Sequence, residues 1–146
     1  MKLDIQRVPL DFIYPLRSKV LRPGQAISSC HYPEDKQADA FHLAALDSGN
    51  VIGIASFYHE AHPDLDGNKA YRLRGMAVEP EMQSYGIGSK LLSQAFDICN
   101  KAGADLLWCN ARTAAMNFYL KLGFKATGEP FELAGIGEHY LMHREL

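Results

Sequence analysis

The run AYRLRGMAVEP leads through the loop EMQSYGIGS into an amphipathic helix, and this passage constrains the chain more than any other. The run reads as a central strand from Ala70 to Val78, with Gly75 as a bulge site and Pro80, which lacks an N–H for the next rung, as its end. Gly86 and Gly88 follow, one residue apart. From there Leu91, Leu92, Ala95, Phe96 and Cys99 form one helical stripe, with Lys90, Gln94, Asp97 and Lys101 opposite and Gly103 as the stop. The N–H groups of a first helical turn have no partner within the helix, and they lie at the positive end of its dipole. Glycines let the backbone turn there and approach a ligand closely, so the loop is a candidate seat for a phosphate.

Spacing tests two familiar phosphate loops. A nucleoside triphosphate loop needs Lys and then Ser or Thr directly after its last glycine, whereas Gly88 is followed by Ser89 and then Lys90. A dinucleotide fingerprint needs a third glycine where Leu91 stands, and it follows a first strand rather than a fourth. Neither pattern fits.

The remaining segments supply the order of elements. Leu3 and Ile5 alternate in a first strand, and a helix is expected from about Asp11 to Leu21, loosened by Pro15. Irregular chain follows to about Gln37. Phe41–Leu46 and Val51–Tyr58 read as a hairpin turning at Asp47, Ser48, Gly49 and Asn50. After the glycine helix come a strand in DLLWCN, a helix in TAAMNFYLKL stopped by Gly123, and strands in FKATGE and HYLMHREL. The string is β-α-β-β-β-α-β-α-β-β, an α/β sandwich around a mixed sheet.

With 146 residues, one domain spanning 1–146 is expected, and 47% hydrophobic residues suffice for a core without disulfides. A net charge of -2 supplies no field to gather nucleic acid. No run is long and apolar enough to span a membrane, and MKLDIQRVPL lacks a signal-peptide core, so a cytoplasmic protein is expected. Cys30, Cys99 and Cys109 lack metal-site spacing and read as reduced, buried thiols, with no metal site expected.

MAVEPEMQSYGIGSKLL resembles the strand, loop and helix of the GCN5-related N-acetyltransferase (GNAT) family, whose loop pattern is met by Gln83, Gly86 and Gly88. About thirty residues on, NFYLKLGF is similar to the family's second signature, met by Tyr119, Gly123 and Phe124. The resemblance covers the chain from about Val51 onward well, and the first 40 residues by element order. It implies a mixed central sheet of about six to seven strands flanked by helices and splayed between strands 4 and 5. It also implies acetyl-CoA as acetyl donor and direct transfer to a primary amine, with no covalent enzyme intermediate.

Residue by residue, the resemblance puts the coenzyme A pyrophosphate on the backbone of Gln83, Ser84, Tyr85, Gly86, Ile87, Gly88 and Ser89. It lays the pantetheine arm along Met76, Ala77 and Val78. Tyr119 becomes the acid that protonates the departing thiolate, since a phenol can supply that proton. Many relatives carry Asn where this chain has Arg112, which leaves Asn110 and Asn117 as substitutes for contacting the cofactor.

An amine attacks only when neutral, so a base is needed. Glu60 leads the candidates, with His59, His139 and Glu79 behind it. Arg72 and Arg74 admit two readings, contact with a substrate carboxylate or pairing with surface acids. Arg17, Arg22, His31, Tyr32 and Asp35 either line the acceptor pocket or belong to a polar loop. Cys109 reads as an inert buried thiol. The rival function is a non-catalytic acyl-CoA sensing module on the same fold, and monomer and homodimer both stay open.

Overall fold

The computed structural model describes residues 2–146. Seven strands form one sheet: β1 (Leu3–Arg7), β2 (Phe41–Asp47), β3 (Asn50–His59), β4 (Ala70–Val78), β5 (Leu106–Arg112), β6 (Lys125–Leu133) and β7 (Gly137–Glu145). Their order is β1-β2-β3-β4-β5-β7-β6, with β4 and β5 parallel and every other pair antiparallel. The β2–β3 hairpin closes through Ser48 (φ 50°) and Gly49 (φ 88°), a two-residue turn whose positive φ values follow the twist of the strands.

Helix α2 (Ile87–Lys101) buries Leu91, Leu92, Ala95 and Cys99 in a core that also holds Leu43, Phe57 and Leu73. Helix α1 (Tyr14–Leu21) contributes Leu16 to a second cluster with Ile13, Ile54 and Ala77. Both sheet faces are therefore covered over β3, which explains why Ile52 through Tyr58 are all buried. Helix α3 (Met116–Lys121) brings Tyr119 to the same core, against Phe124.

The expected helix from Asp11 is corrected. Leu10–Phe12 forms a separate 3-10 turn, and α1 begins at Tyr14 with Pro15 in its first turn. A proline has no N–H to lose there, so Pro15 starts the helix rather than loosening it. The helix expected in TAAMNFYLKL likewise divides into a 3-10 turn at Thr113–Ala115 followed by α3. The stretch up to Gln37 holds two further 3-10 turns, Ile27–Cys30 and Pro33–Lys36. Strand β6 runs past FKATGE to Leu133, with an irregularity between Thr127 and Phe131 around Gly128 and Pro130.

Strands β4 and β5 pair only at Ala70 with Leu106, Tyr71 with Leu107, and Arg72 with Trp108. Beyond Arg72 they part: β4 continues along β3 to Val78, and β5 continues along β7 to Arg112. On the departing stretch, Gly75 and Met76 together stand opposite Ala55, a bulge that Gly75 permits by taking φ 64°. A bulge bends its strand, and here it accompanies the opening of the sheet where a ligand can enter.

Candidate active site

Two cavities meet in that opening. The first, about 460 Å³, is walled by β4 from Arg72 to Met76, β5 from Cys109 to Arg112, Arg22 and Tyr32, and Leu133, Ile136 and His139 near the β6–β7 turn. The second, about 340 Å³, runs along Met76, Ala77 and Val78 toward Gly88, with Phe118 on its far wall. Met76, Gln83, Ala115 and Tyr119 line both. A molecule lying along the second cavity can therefore present its end to one lying in the first.

Tyr119 stands at the junction. Its hydroxyl is 4.0 Å from Met76 Sδ and also meets the thiol of Cys109. Burial, and then the neighbouring Cys109, push its pKa well above the ordinary phenol value, so the hydroxyl keeps its proton. Burial also pushes the Cys109 thiol up to about 12, which leaves it protonated and a poor nucleophile.

The glycine loop has the geometry of an anion seat. Pro80–Tyr85 forms a 3-10 turn, Gly86 takes the left-handed conformation (φ 74°), and α2 starts at Ile87. The N–H of Lys90 bonds the Gly86 carbonyl at 3.2 Å, so the N–H groups of Ile87, Gly88 and Ser89 open the helix end. Gly88 serves a different purpose from Gly86. A Cβ on it would stand 3.0 Å from both Met76 Cε and Phe118 Cζ, closing space at the end of the second cavity. The residues present thus fit a phosphate on the loop and a slender arm along β4.

The other expected contacts divide. Gln83 lines both cavities and donates from Nε2 to the Val78 carbonyl at 3.3 Å. Ser84 and Tyr85 are exposed on the loop, and the Ile87 side chain is buried in the core, which leaves only its backbone for the seat. Ala77 turns its side chain into the α1 cluster while its strand position edges the channel. Asn110 lines the larger cavity beside Arg112, whereas Asn117 lies exposed on α3 and borders neither cavity.

Three of the four base candidates are already engaged by a charged side chain. Glu60 Oε2 accepts from Arg72 Nη1 at 3.1 Å, His59 meets Asp39 at 3.3 Å, and Glu79 meets Lys19 at 2.7 Å. None of these three borders the larger cavity. His139 does, and its Nδ1–H donates to the Gly137 carbonyl at 2.8 Å. A carbonyl can only accept, so Nδ1 carries a proton in that bond, and Nε2 is the nitrogen that holds the lone pair when the imidazole is neutral.

Arg17 and Asp35 do not line the cleft, and they form its foundation. Arg17 is fully buried, donating from Nη1 to Asp35 Oδ2 and the Cys30 carbonyl (both 2.7 Å) and from Nη2 to Ser56 Oγ (2.8 Å). The Tyr58 hydroxyl donates to Asp35 Oδ1. His42 Nε2–H donates to the Asp35 carbonyl at 3.1 Å, so its Nδ1 accepts from Ser56 Oγ at 2.8 Å. Burial acts to raise the Asp35 pKa, but hydrogen bonds from Arg17 and Tyr58 prevail and hold it below the usual value. Burial holds His42 below its ordinary value. The network ties the chain between Ile27 and Lys36 to β3 and presents Tyr32 to the cleft, while His31 stacks on Tyr14 at 4.1 Å.

Comparison with known proteins identifies the architecture. The profile described as "Acetyltransferase (GNAT) family" matches residues 10–124. The chain belongs to this family. It is an acetyltransferase, and acetyl-CoA is its donor. It is 39% identical over 144 residues, 99% of its length and 97% of the relative's, to the Bacillus subtilis protein named "Uncharacterized N-acetyltransferase YitI". Its fold is similar to that of Escherichia coli ElaA (TM-score 0.79, 20% identity, covering 99% of this chain and 100% of ElaA). It is also similar to that of an aminoglycoside 6'-N-acetyltransferase complexed with coenzyme A (TM-score 0.78, 16% identity, covering 97% and 96%). Among the described residues no helix is long and apolar enough to cross a membrane, and no group of three or more His, Cys, Asp or Glu is placed to hold a metal ion.

Proposed function

We propose that this acetyltransferase moves the acetyl group directly onto a primary amine, with Tyr119 as the acid. The observation that carries this reading is the position of Tyr119 where the two cavities join. Acetyl-CoA, when bound, supplies a thioester carbonyl and a thiol leaving group. The Gln83–Ser89 backbone receives its pyrophosphate, and Met76 to Val78 line its arm. Tyr119 Oη holds the proton that the departing sulfur requires. The relative named as an N-acetyltransferase supports nitrogen as the acceptor atom.

The amine approaches through the larger cavity and must lose a proton. His139 Nε2 is the base best placed to take it, because Glu60, the leading candidate from the sequence, already faces Arg72. Direct transfer agrees with the protonated state of Cys109, the one thiol bordering the cleft. Three free, buried thiols support a reducing compartment, and we assign the protein to the cytoplasm.

Mass spectrometry of the protein incubated with acetyl-CoA alone, beside thiol release on adding amines, tests this. The expected result is an unmodified protein with amine-dependent thiol release. A stable acetyl adduct on Cys109 that amines discharge would overturn direct transfer, and coenzyme A binding without amine-dependent release would make the protein a sensing module.

A further inference from the structure

The larger cavity carries a charge pattern that bears on its acceptor. Arg22, Arg72, Arg74 and Arg112 border it, and no aspartate or glutamate does. Arg72 and Arg74 are two residues apart on β4, so their side chains leave the same face of the strand. Each has one carboxylate partner outside the cavity lining: Glu60 at 3.1 Å for Arg72, and Glu34 at 3.4 Å for Arg74. Each also rests on an aromatic ring, with Arg72 4.9 Å from the centre of Trp108 and Arg74 4.2 Å from the centre of Tyr32. Tyr32 is fixed in turn, since its N–H donates to Asp35 Oδ2 at 3.0 Å and the buried Arg17 guanidinium lies 4.1 Å from its ring centre.

Stacked guanidiniums are pre-oriented, and their free N–H groups match the two oxygens of a carboxylate. The crowding of cations disfavours a polyamine or any acceptor carrying several ammonium groups. It also favours the neutral form of a single amine, which is the form that attacks.

We propose that the acceptor is a compact amine bearing a carboxylate, such as an amino acid or short aminocarboxylate, held by Arg72 and Arg74. This rests on the reading of the cleft as the acceptor site of an amine acetyltransferase. It separates the chain from an aminoglycoside-type acceptor despite the shared fold.

The test pairs 4-aminobutyrate, β-alanine and glycine with butylamine, propylamine and ethylamine, in which a methyl group stands in for the carboxylate, and adds putrescine as a diamine. Thiol release from acetyl-CoA gives turnover, and fluorescence of Trp108, the single tryptophan, reports binding beneath Arg72 in the coenzyme A complex. At least one aminocarboxylate is expected to exceed its matched amine by about ten- to a hundredfold in kcat/KM and to change the Trp108 signal. Arg72→Met and Arg74→Met should each erase most of that preference while coenzyme A affinity, measured by calorimetry, stays unchanged. Arg72→Lys should keep part of it. Equal or better use of amines without a carboxylate, or no response of Trp108 to any aminocarboxylate while coenzyme A still binds, would overturn the proposal and leave the donor site standing. Failure to bind coenzyme A would overturn the donor site as well.

Discussion

The Tyr119 hydroxyl lies 4.0 Å from Met76 Sδ, across the gap where β4 and β5 have parted. One residue comes from the bulged strand and the other from α3, so the packing of that short helix sets the distance between acid and channel. Replacing Tyr119 by Phe keeps the ring in the core and removes only the proton donor. Turnover is expected to fall about a hundredfold or more with acetyl-CoA affinity unchanged, measured by thiol release and calorimetry. Undiminished turnover would remove Tyr119 from the chemistry.

Paired substitutions distinguish His139 from Glu60. If His139 Nε2 takes the amine proton, His139→Gln should lower kcat about a hundredfold with little change in KM, measured by thiol release. Glu60→Gln should act chiefly on KM, through Arg72. The opposite pattern would return the role to Glu60.

The buried Arg17–Asp35 pair predicts a stability effect distant from the chemistry. Asp35→Ala strands the Arg17 charge in the interior and should cost about 3–5 kcal/mol in chemical denaturation. Because Asp35 also fixes Tyr32, coenzyme A affinity should survive better than affinity for the acceptor.

Acid should weaken the fold in two stages. The unfolded chain protonates His42 at its ordinary value of 6.5 while the folded chain resists, so that contribution is complete above 6.5 and declines as pH falls from there toward the lowered folded value. The contribution of Asp35 has the same sign, complete above 3.8 and lost as pH falls through its lowered folded value. Urea unfolding at pH about 8 and about 5 should show the first loss, and His42→Gln should reduce it. Equal stability at both pH values would contradict the neutral buried His42.

Much of the fold was legible because its signals are local. The strand ending at Pro80, the hairpin turn at Ser48 and Gly49, and the α2 stripe each follow from a few neighbouring residues. The bulge expected at Gly75 is present for the same reason. The Arg17 network was not legible, because its members come from α1, a 3-10 turn and two strands, and only folding joins them. A trace existed in His42 and Ser56, polar residues within apolar strand runs, which pair across β2 and β3. The partners of Glu60, His59 and Glu79 were hidden likewise, so the sequence could not separate these residues from His139.

The most direct test of the account is calorimetric titration of acetyl-CoA into the wild-type protein and into Gly88→Val, with dephospho-CoA and ATP as controls. The Gly88 backbone tolerates a side chain, but a Cβ there meets Met76 and Phe118 at 3.0 Å, so the substitution narrows the channel itself. Binding of acetyl-CoA by the wild type, weakened at least about tenfold in a Gly88→Val protein that unfolds as cooperatively, is the predicted result. Unchanged affinity in that variant, or no binding by the wild type, would contradict the assignment of the glycine loop and the β4 channel to acetyl-CoA.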